Sequence, residues 1–306
     1  LQAPGWWRRD DRLPWATAEP CKVGKPLLVV GANGTLGRAV LEACRARHIH
    51  AVGASRNDCN LLRPESINDT LERTGAWAVI NASGYVRVDE AEGDVGPCWA
   101  LNALGAASLA ELCGARDIPL VSFSSDLVFD GDMGRPYRES DATAPVNVYG
   151  YTKQAMERMV SWFHPASLIV RTAAFFGPAD QANFLHFALR TIESGRPFMA
   201  ANDQVVSMTY VPDLANAVLD LLLDRESGIW HLAGSHHATW AEWARLAVAN
   251  AGLDVHRVVG VPGAELDLRA ARPANSSLGS ERGRLMPCVE RRLGEFARGW
   301  RERVAA

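Results

Sequence analysis

The chain has 306 residues, a net charge of −3 and 48% hydrophobic residues, enough for about two domain-sized units with a full core. That balance excludes a basic nucleic-acid binder and an acidic disordered chain, and no apolar run reaches the ~18 residues that a membrane helix needs. Six scattered cysteines with no CxxC pair and no ligand-like spacing point to reduced thiols, no metal and a cytoplasmic protein. The Trp- and Arg-rich start has no apolar signal-peptide core.

Residues 1–25 stand apart as an N-terminal arm or linker, carrying Trp6, Trp7, Trp15, Pro4, Pro14 and Pro20 with no period of 2 or 3.6. Leu1 in place of Met fits a chain cut from a longer polypeptide, or an expression choice. From Pro26 the pattern alternates. Leu27–Val30 is a short apolar run, as expected of a parallel strand buried on both faces. A helix is predicted over Thr35–Arg47, a strand over His50–Ser55, and a helix after Pro64, where proline suits the first turn. Strands follow at Trp77–Asn81, Pro119–Ser124 and Ser167–Arg171, with helices over Pro97–Arg116 and Val148–Phe163. Strands that alternate with helices mean right-handed βαβ units and an α/β fold, a Rossmann-type doubly wound parallel sheet. Beyond Thr172 the alternation loosens: helices over Phe184–Glu193, Pro212–Leu223 and Trp240–Ala251, and a strand over Gly228–Leu232. The expected division is a dinucleotide-binding domain over 26–172, with 205–235 returning to it, and a smaller C-terminal α/β substrate lobe from 173–204 and 236–306.

Between the first strand and helix lies Gly31-Ala32-Asn33-Gly34-Thr35-Leu36-Gly37, a G-x-x-G-x-x-G turn. The first glycine permits the tight turn, the second lets backbone approach a pyrophosphate, and the third lets helix and strand pack closely. The helix N-terminus adds free N–H groups and a positive dipole end. The end of the second strand, which reads the adenosine ribose in such folds, is Ala54-Ser55-Arg56 and has no acid. Arg56 can fork onto a 2′-phosphate, which favours NADP with NAD as the alternative, or it is a solvated surface arginine.

Tyr149 and Lys153 are four residues apart and share a helix face. A phenol titrates near pH ~10, and a neighbouring cation lowers that value, so the pair suits proton donation. Tyr151 is a decoy, because its +4 residue is Ala155. At the end of the strand Pro119–Ser124 stands Ser124-Ser125-Asp126, whose hydroxyls either donate to a substrate carbonyl or cap a turn.

Taken together, these motifs make the chain resemble an extended short-chain dehydrogenase/reductase, and within that group the dTDP-4-dehydrorhamnose reductase family. GANGTLG at 31–37, VINASGYVRVDEAE at 79–92, SFSSDLVFDG at 122–131 and APVNVYGYTKQAMER at 144–158 carry the resemblance. VRTAAFFGP at 170–178, Asn183-Phe184, TYVPDLA at 209–215 and RPANSSL at 272–278 continue it. The resemblance implies a catalytic triad of Ser125, Tyr149 and Lys153. It implies that Asn60 and Leu61 lie against the adenine, that Asn81, Ala82 and Ser83 line the dinucleotide, and that Asn102 stands behind the site. Asp126, Asn183 and Arg272 would face the substrate, Arg272 as a bidentate clamp on a diphosphate. The implied reaction is hydride transfer to the C4 ketone of a nucleotide-linked 4-keto-6-deoxysugar, with Tyr149 protonating the alkoxide and Lys153 lowering the Tyr149 pKa.

Departures from the family pattern are Leu127 and Ala174, where aromatics usually stand, and the run Val205-Val206-Ser207-Met208. Residues 3–9 resemble a junction behind a glycoside-hydrolase-family-1-like domain, which implies a fused upstream partner. A homodimer is a further expected assembly. His236-His237 reads as a surface loop, and Asp89, Glu90 and Glu92 as a solvated helix start or a divalent-ion site at a subunit contact. Two other readings are an epimerase or dehydratase of the same fold and a non-catalytic NADP-binding regulatory subunit, the part that homologues of this fold play beside methionine adenosyltransferase. No Asp-Glu pair follows Ser125, which counts against dehydration.

Overall fold

The computed structural model describes residues 24–305, so the arm at 1–25 lies almost wholly outside the described residues. The first half of the chain builds β1 (Leu27–Val30), α1 (Thr35–Ala46), β2 (Ala51–Ala54), α2 (Pro64–Thr74) and β3 (Ala78–Asn81). It continues with α3 (Val88–Ala91), α4 (Val95–Trp99), α5 (Ala106–Gly114), β4 (Leu120–Ser125), α6 (Val148–Phe163) and β5 (Leu168–Thr172). The second half holds β6 (Ala174–Phe176), α7 (Phe184–Glu193), β7 (Phe198–Ala201), β8 (Val205–Tyr210), α8 (Val211–Leu223) and β9 (Gly228–His231). Then come β10 (His237–Thr239), α9 (Trp240–Asn250), β11 (Val258–Val261) and α10 (Val289–Ala305).

Six parallel strands form the main sheet in the order β2-β1-β3-β4-β5-β9. The order reverses between β1 and β3, which opens a crevice at the carboxyl ends of those strands. The short apolar runs make this sheet because alternate side chains point to opposite faces. Leu27 and Val29 enter the core under α1 and α8, while Leu28 and Val30 enter the core under α2, α5 and α6. Ile80 and Val79 on β3, and Val170 and Ile169 on β5, divide the same way. The remaining strands form two small sheets, β10-β8-β6 and β11-β7. These pack with α7, α9 and α10 around Trp243, whose indole N–H donates to the Val206 carbonyl at 3.0 Å.

Three expectations are corrected. The helix expected over Pro97–Arg116 is two α-helical pieces joined by a π-helical stretch, Ala100–Gly105, whose wider turn carries Asn102 inward. Within 205–235, α8 and β9 join the main layer, but β8 pairs with β6 and β10 in the lobe. Its run Val205–Met208 is apolar enough to be a buried strand. His237 lies in β10, not in a loop, with its Nδ1 3.0 Å from the Ser207 hydroxyl, while His236 does lie in the loop before that strand and pairs with Glu290. Among the described residues no group of three or more His, Cys, Asp or Glu is placed to hold a metal, and no helix is long and apolar enough to cross a membrane.

Candidate active site

The glycine turn leaves β1 at Gly31, whose φ of +79° is a left-handed value that L side chains rarely adopt. A Cβ there would sit 2.7 Å from the Ser83 backbone nitrogen and 2.8 Å from the Ala82 carbonyl. A Cβ on Gly37 would run into the Gly31 carbonyl oxygen. Both glycines are therefore demanded by the protein's own packing. Gly34 differs, because the one atom within 4 Å of its Cβ would be the Gly31 oxygen at 3.3 Å. Nothing in the protein requires glycine so strongly there, and the space beside it is open. Gly34 is also the N-cap of α1 and offers no capping side chain, and the first turn of α1 has no acid. The N–H groups of Thr35, Leu36 and Gly37 thus begin a helix whose end suits an anion. These are features of a dinucleotide cradle, and the residues fit that group.

Around the cradle, Asn33 is exposed, Ala82 follows β3, and the buried Asn81 accepts the Ser83 N–H at 3.1 Å. Arg56 is exposed just past β2. Asn60 is half-buried and spends its side-chain oxygen on the Leu62 N–H at 3.0 Å. Leu61 is buried in the core beneath α2 and α5. Asn102, from the π-helical turn, grips Tyr85 at both backbone groups, accepting its N–H at 2.8 Å and donating to its carbonyl at 3.1 Å. That bidentate clasp fixes the segment 83–85 beside Lys153.

The three reactive side chains come from two elements. Ser125 is the last residue of β4, and Tyr149 and Lys153 are one turn apart on α6. Asn147 caps α6 by accepting the Gly150 N–H at 2.8 Å, and Glu92 of the α3 end accepts the Val148 N–H at 2.8 Å. Lys153 is buried and donates to the Phe123 carbonyl at 3.0 Å, with its Nζ 5.7 Å from the centre of the Tyr149 ring. Burial brings the lysine down to about 8. Ser125 donates to the Asp126 carboxylate at 2.9 Å and accepts the Leu127 N–H at 3.2 Å. A ketone oxygen would gain the Ser125 proton only when that hydroxyl turns from Asp126.

Burial pushes the Tyr149 phenol well above its ordinary value, and the Asp126 charge pushes it further, with the Ser125 hydroxyl opposing. The Lys153 ammonium faces the Phe123 carbonyl, with its Nζ 5.7 Å from the centre of the Tyr149 ring. Asp126 is buried, accepts Ser276 at 2.6 Å as well as Ser125, and burial pushes it up to about 6.

The residues expected to face a substrate divide. Asp126 is in the site. Asn183 caps α7, accepting the His186 N–H at 2.9 Å and donating to the Asp180 carbonyl. Arg272 points its guanidinium at Asp89 (2.7 Å) and the Ala270 carbonyl (2.8 Å), so its fork is engaged by the protein. Asp89, Glu90 and Glu92 separate accordingly: Asp89 holds Arg272, Glu90 pairs with Arg87, and Glu92 caps α6. Two supporting residues were missed in the sequence. Ser276 lies in the quoted RPANSSL run but was given no role. Glu157 is four residues past Lys153 and so on the same helix face, a signal that was readable. Its carboxylate is buried, accepts Ser124, and forms a bidentate pair with Arg171 at 2.8 and 2.7 Å. Ser124 and Arg171 are register partners on β4 and β5, so the pair ties α6 to the sheet beneath the site.

The chain matches the family model described as RmlD substrate binding domain over residues 25–306. The chain belongs to this family. Relatives of the family include the dTDP-4-keto-6-deoxy-D-glucose reductase of Streptomyces niveus, 34% identical over 255 residues, which span 83% of this chain and 88% of that one. The dTDP-4-dehydrorhamnose reductase of Mycolicibacterium smegmatis is 30% identical over 284 residues, 92% of this chain and 86% of that one. Among solved structures, the Bacillus anthracis dTDP-4-dehydrorhamnose reductase in complex with NADP superimposes with a TM-score of 0.85 at 28% identity, covering 89% of this chain and 98% of that one. A Thermus thermophilus UDP-glucose 4-epimerase shares the fold at a TM-score of 0.74 and 18% identity.

Proposed function

We propose that this chain is an NADP(H)-dependent reductase of the C4 ketone of a nucleotide-linked 4-keto-6-deoxysugar. The convergence of Ser125, Tyr149 and Lys153 at the carboxyl end of β4 and the start of α6, beside an open glycine cradle, carries the reading. Relatives named as reductases of dTDP-linked keto sugars support the substrate class, and the NADP-bound relative together with the exposed Arg56 supports NADP over NAD. The bound dinucleotide supplies the hydride. Gly31, Gly34 and Gly37 and the start of α1 hold its pyrophosphate, Asn81, Ala82 and Ser83 line it, and Lys153 stands where its ribose passes. Tyr149, held in its protonated form by its surroundings, gives its proton to the oxygen that becomes the alcohol. Ser125 orients that oxygen. Asp126 belongs to the sugar-nucleotide side, and Arg272 does so only after it leaves Asp89, while Asn183 serves that side through the α7 cap it makes.

The test is direct. Mixing the protein with NADPH, then NADH, and a dTDP-4-keto-6-deoxysugar should oxidise the reduced nicotinamide, faster with NADPH. Tight dinucleotide binding without oxidation of either cofactor would favour a non-catalytic binding subunit and end the reductase reading.

A further inference from the structure

A cavity of about 30 Å³ lies between β9, β10 and the chain from Leu278 to Met286. That is room for about two waters, or for two oxygens of a small ion whose remainder stays in solvent. Its walls include Arg284, His231, His237, Ser235 and Ser280, and no acidic side chain. Some of these polar groups are already spent. His231 directs Nδ1 to the Gly279 and Tyr137 carbonyls at 2.8 and 3.1 Å, which puts its hydrogen on that nitrogen, and its Nε2 meets the Arg171 guanidinium at 3.3 Å. Ser280 donates to Glu139 at 2.6 Å and accepts the Arg282 and Gly283 N–H groups, each at 3.2 Å.

Three donors are left. Arg284 and Ser235 are exposed, and neither side chain makes an ion pair or hydrogen bond among the described residues. Ser207 Oγ accepts the Leu278 N–H at 3.1 Å and lies 3.0 Å from His237 Nδ1. That nitrogen is the one acceptor the hydroxyl has among the described residues, so neutral His237 carries its own hydrogen on Nε2, which has no partner among them. The nearby acids are taken: Glu139 by Ser280, Glu226 by Arg282, Glu281 by Ser140 and Glu290 by His236. A guanidinium, an imidazole N–H and a hydroxyl on a wall without carboxylates suit an anion that offers several oxygens. We propose that this cavity binds a small oxyanion of the phosphate type, which latches the segment 278–286 to β9 and β10. That segment continues from Ser276, whose hydroxyl meets Asp126 at 2.6 Å, so the ion would firm the lobe's hold on the reactive layer. The site is not part of the dinucleotide crevice, because β3, β4 and β5 stand between β9 and the β1 cradle.

The probe is inorganic phosphate, followed through the His237 ring signals in NMR across pH. Burial and the nearby His236 and Arg284 charges hold His237 below its ordinary value, so it is neutral at pH 7. A bound anion favours imidazolium, so saturating phosphate should raise the His237 midpoint by about half a pH unit or more over chloride at equal ionic strength. Phosphate should also raise Tm, since it binds the folded chain. In Arg284→Ala the midpoint without phosphate should rise, because a cation is removed, and phosphate should add no further shift and no gain in Tm. A parallel titration with dTDP separates a free ion from the phosphoryl end of a larger ligand. A shift with dTDP and none with phosphate assigns the latter, provided that Arg284→Ala abolishes it. A His237 midpoint unmoved by both, or a shift that survives in Arg284→Ala, overturns the proposal. Neither result bears on the reductase reading, which NADPH oxidation decides.

Discussion

The main sheet and the lobe bury their side chains in different ways. In the sheet, four-residue strands such as β1 divide neighbouring side chains between two cores, and every strand pairs in parallel with the next. In the lobe, one core gathers residues from Val128 to Trp300 around two small sheets. The first region is specified by local pattern and the second by contacts across long stretches of chain. The proposed reactive side chains lie in the first. The lobe reaches them through a few long-range bonds: Ser276 to Asp126, Arg272 to Asp89, and Asn147 to the Ala271 carbonyl at 2.8 Å. Chemistry placed in the locally specified layer should survive changes in the lobe, while substrate choice should not.

The largest expected effect breaks the chemistry and leaves the layer whole. Tyr149→Phe should lower kcat by roughly 10²–10⁴-fold, the usual worth of a positioned proton donor, with NADPH affinity by fluorescence titration nearly unchanged. A comparable loss of NADPH affinity would make Tyr149 a binding residue. Next is the ion pair that ties α6 to the sheet. Glu157→Gln leaves Arg171 charged and buried without its partner, which should cost about 3–5 kcal/mol in denaturant unfolding. Glu157→Gln with Arg171→Met should recover most of it, and no recovery would mean that the pair is not what anchors the helix.

A smaller effect follows from burying Asp126. Its carboxyl is raised from 3.8 to about 6, so between those pH values the folded chain holds a proton that the unfolded chain has released. Stability must then fall as pH rises through that window, by about 3 kcal/mol at most for a shift of roughly two units. Asp126→Asn should remove that slope from thermal unfolding scans. A slope that persists in the variant would assign it to other groups.

The alternation of strands and helices was legible because each strand is an apolar run bounded by turn residues, and α6 was legible to its ends because Asn147 caps it. The glycine turn was readable because Gly31 and Gly37 have steric reasons internal to the protein. Spacing on α6 placed Tyr149 and Lys153 on one face, and the structure brings Ser125 to them. The Tyr149 environment was not legible, since Asp126 and Ser276 lie 150 residues apart. The π-helical turn left no mark in composition, because Ala, Leu and Gly suit either winding. Arg272 could be read as a clamp but not as a bound one, because Asp89 is 183 residues away. What stayed hidden is what depends on tertiary partners.

The smallest effect probes that last contact. Asp89 and Arg272 are partly exposed, with side-chain exposures of 36% and 17%, so the pair should contribute less than about 1 kcal/mol to stability. Asp89→Ala should therefore barely move the unfolding midpoint. Its effect on KM for the nucleotide sugar distinguishes two roles for the guanidinium. If Arg272 is a diphosphate clamp parked on Asp89, releasing it and removing a nearby negative charge should lower KM about two- to threefold with kcat unchanged. If the pair instead moors the segment 269–272 against α3, the loosened segment should raise KM, and Arg272→Ala should raise it by the same factor. A clamp would be lost in Arg272→Ala but strengthened in Asp89→Ala, so opposite signs in the two variants place Arg272 on the substrate, and equal signs place it in the scaffold.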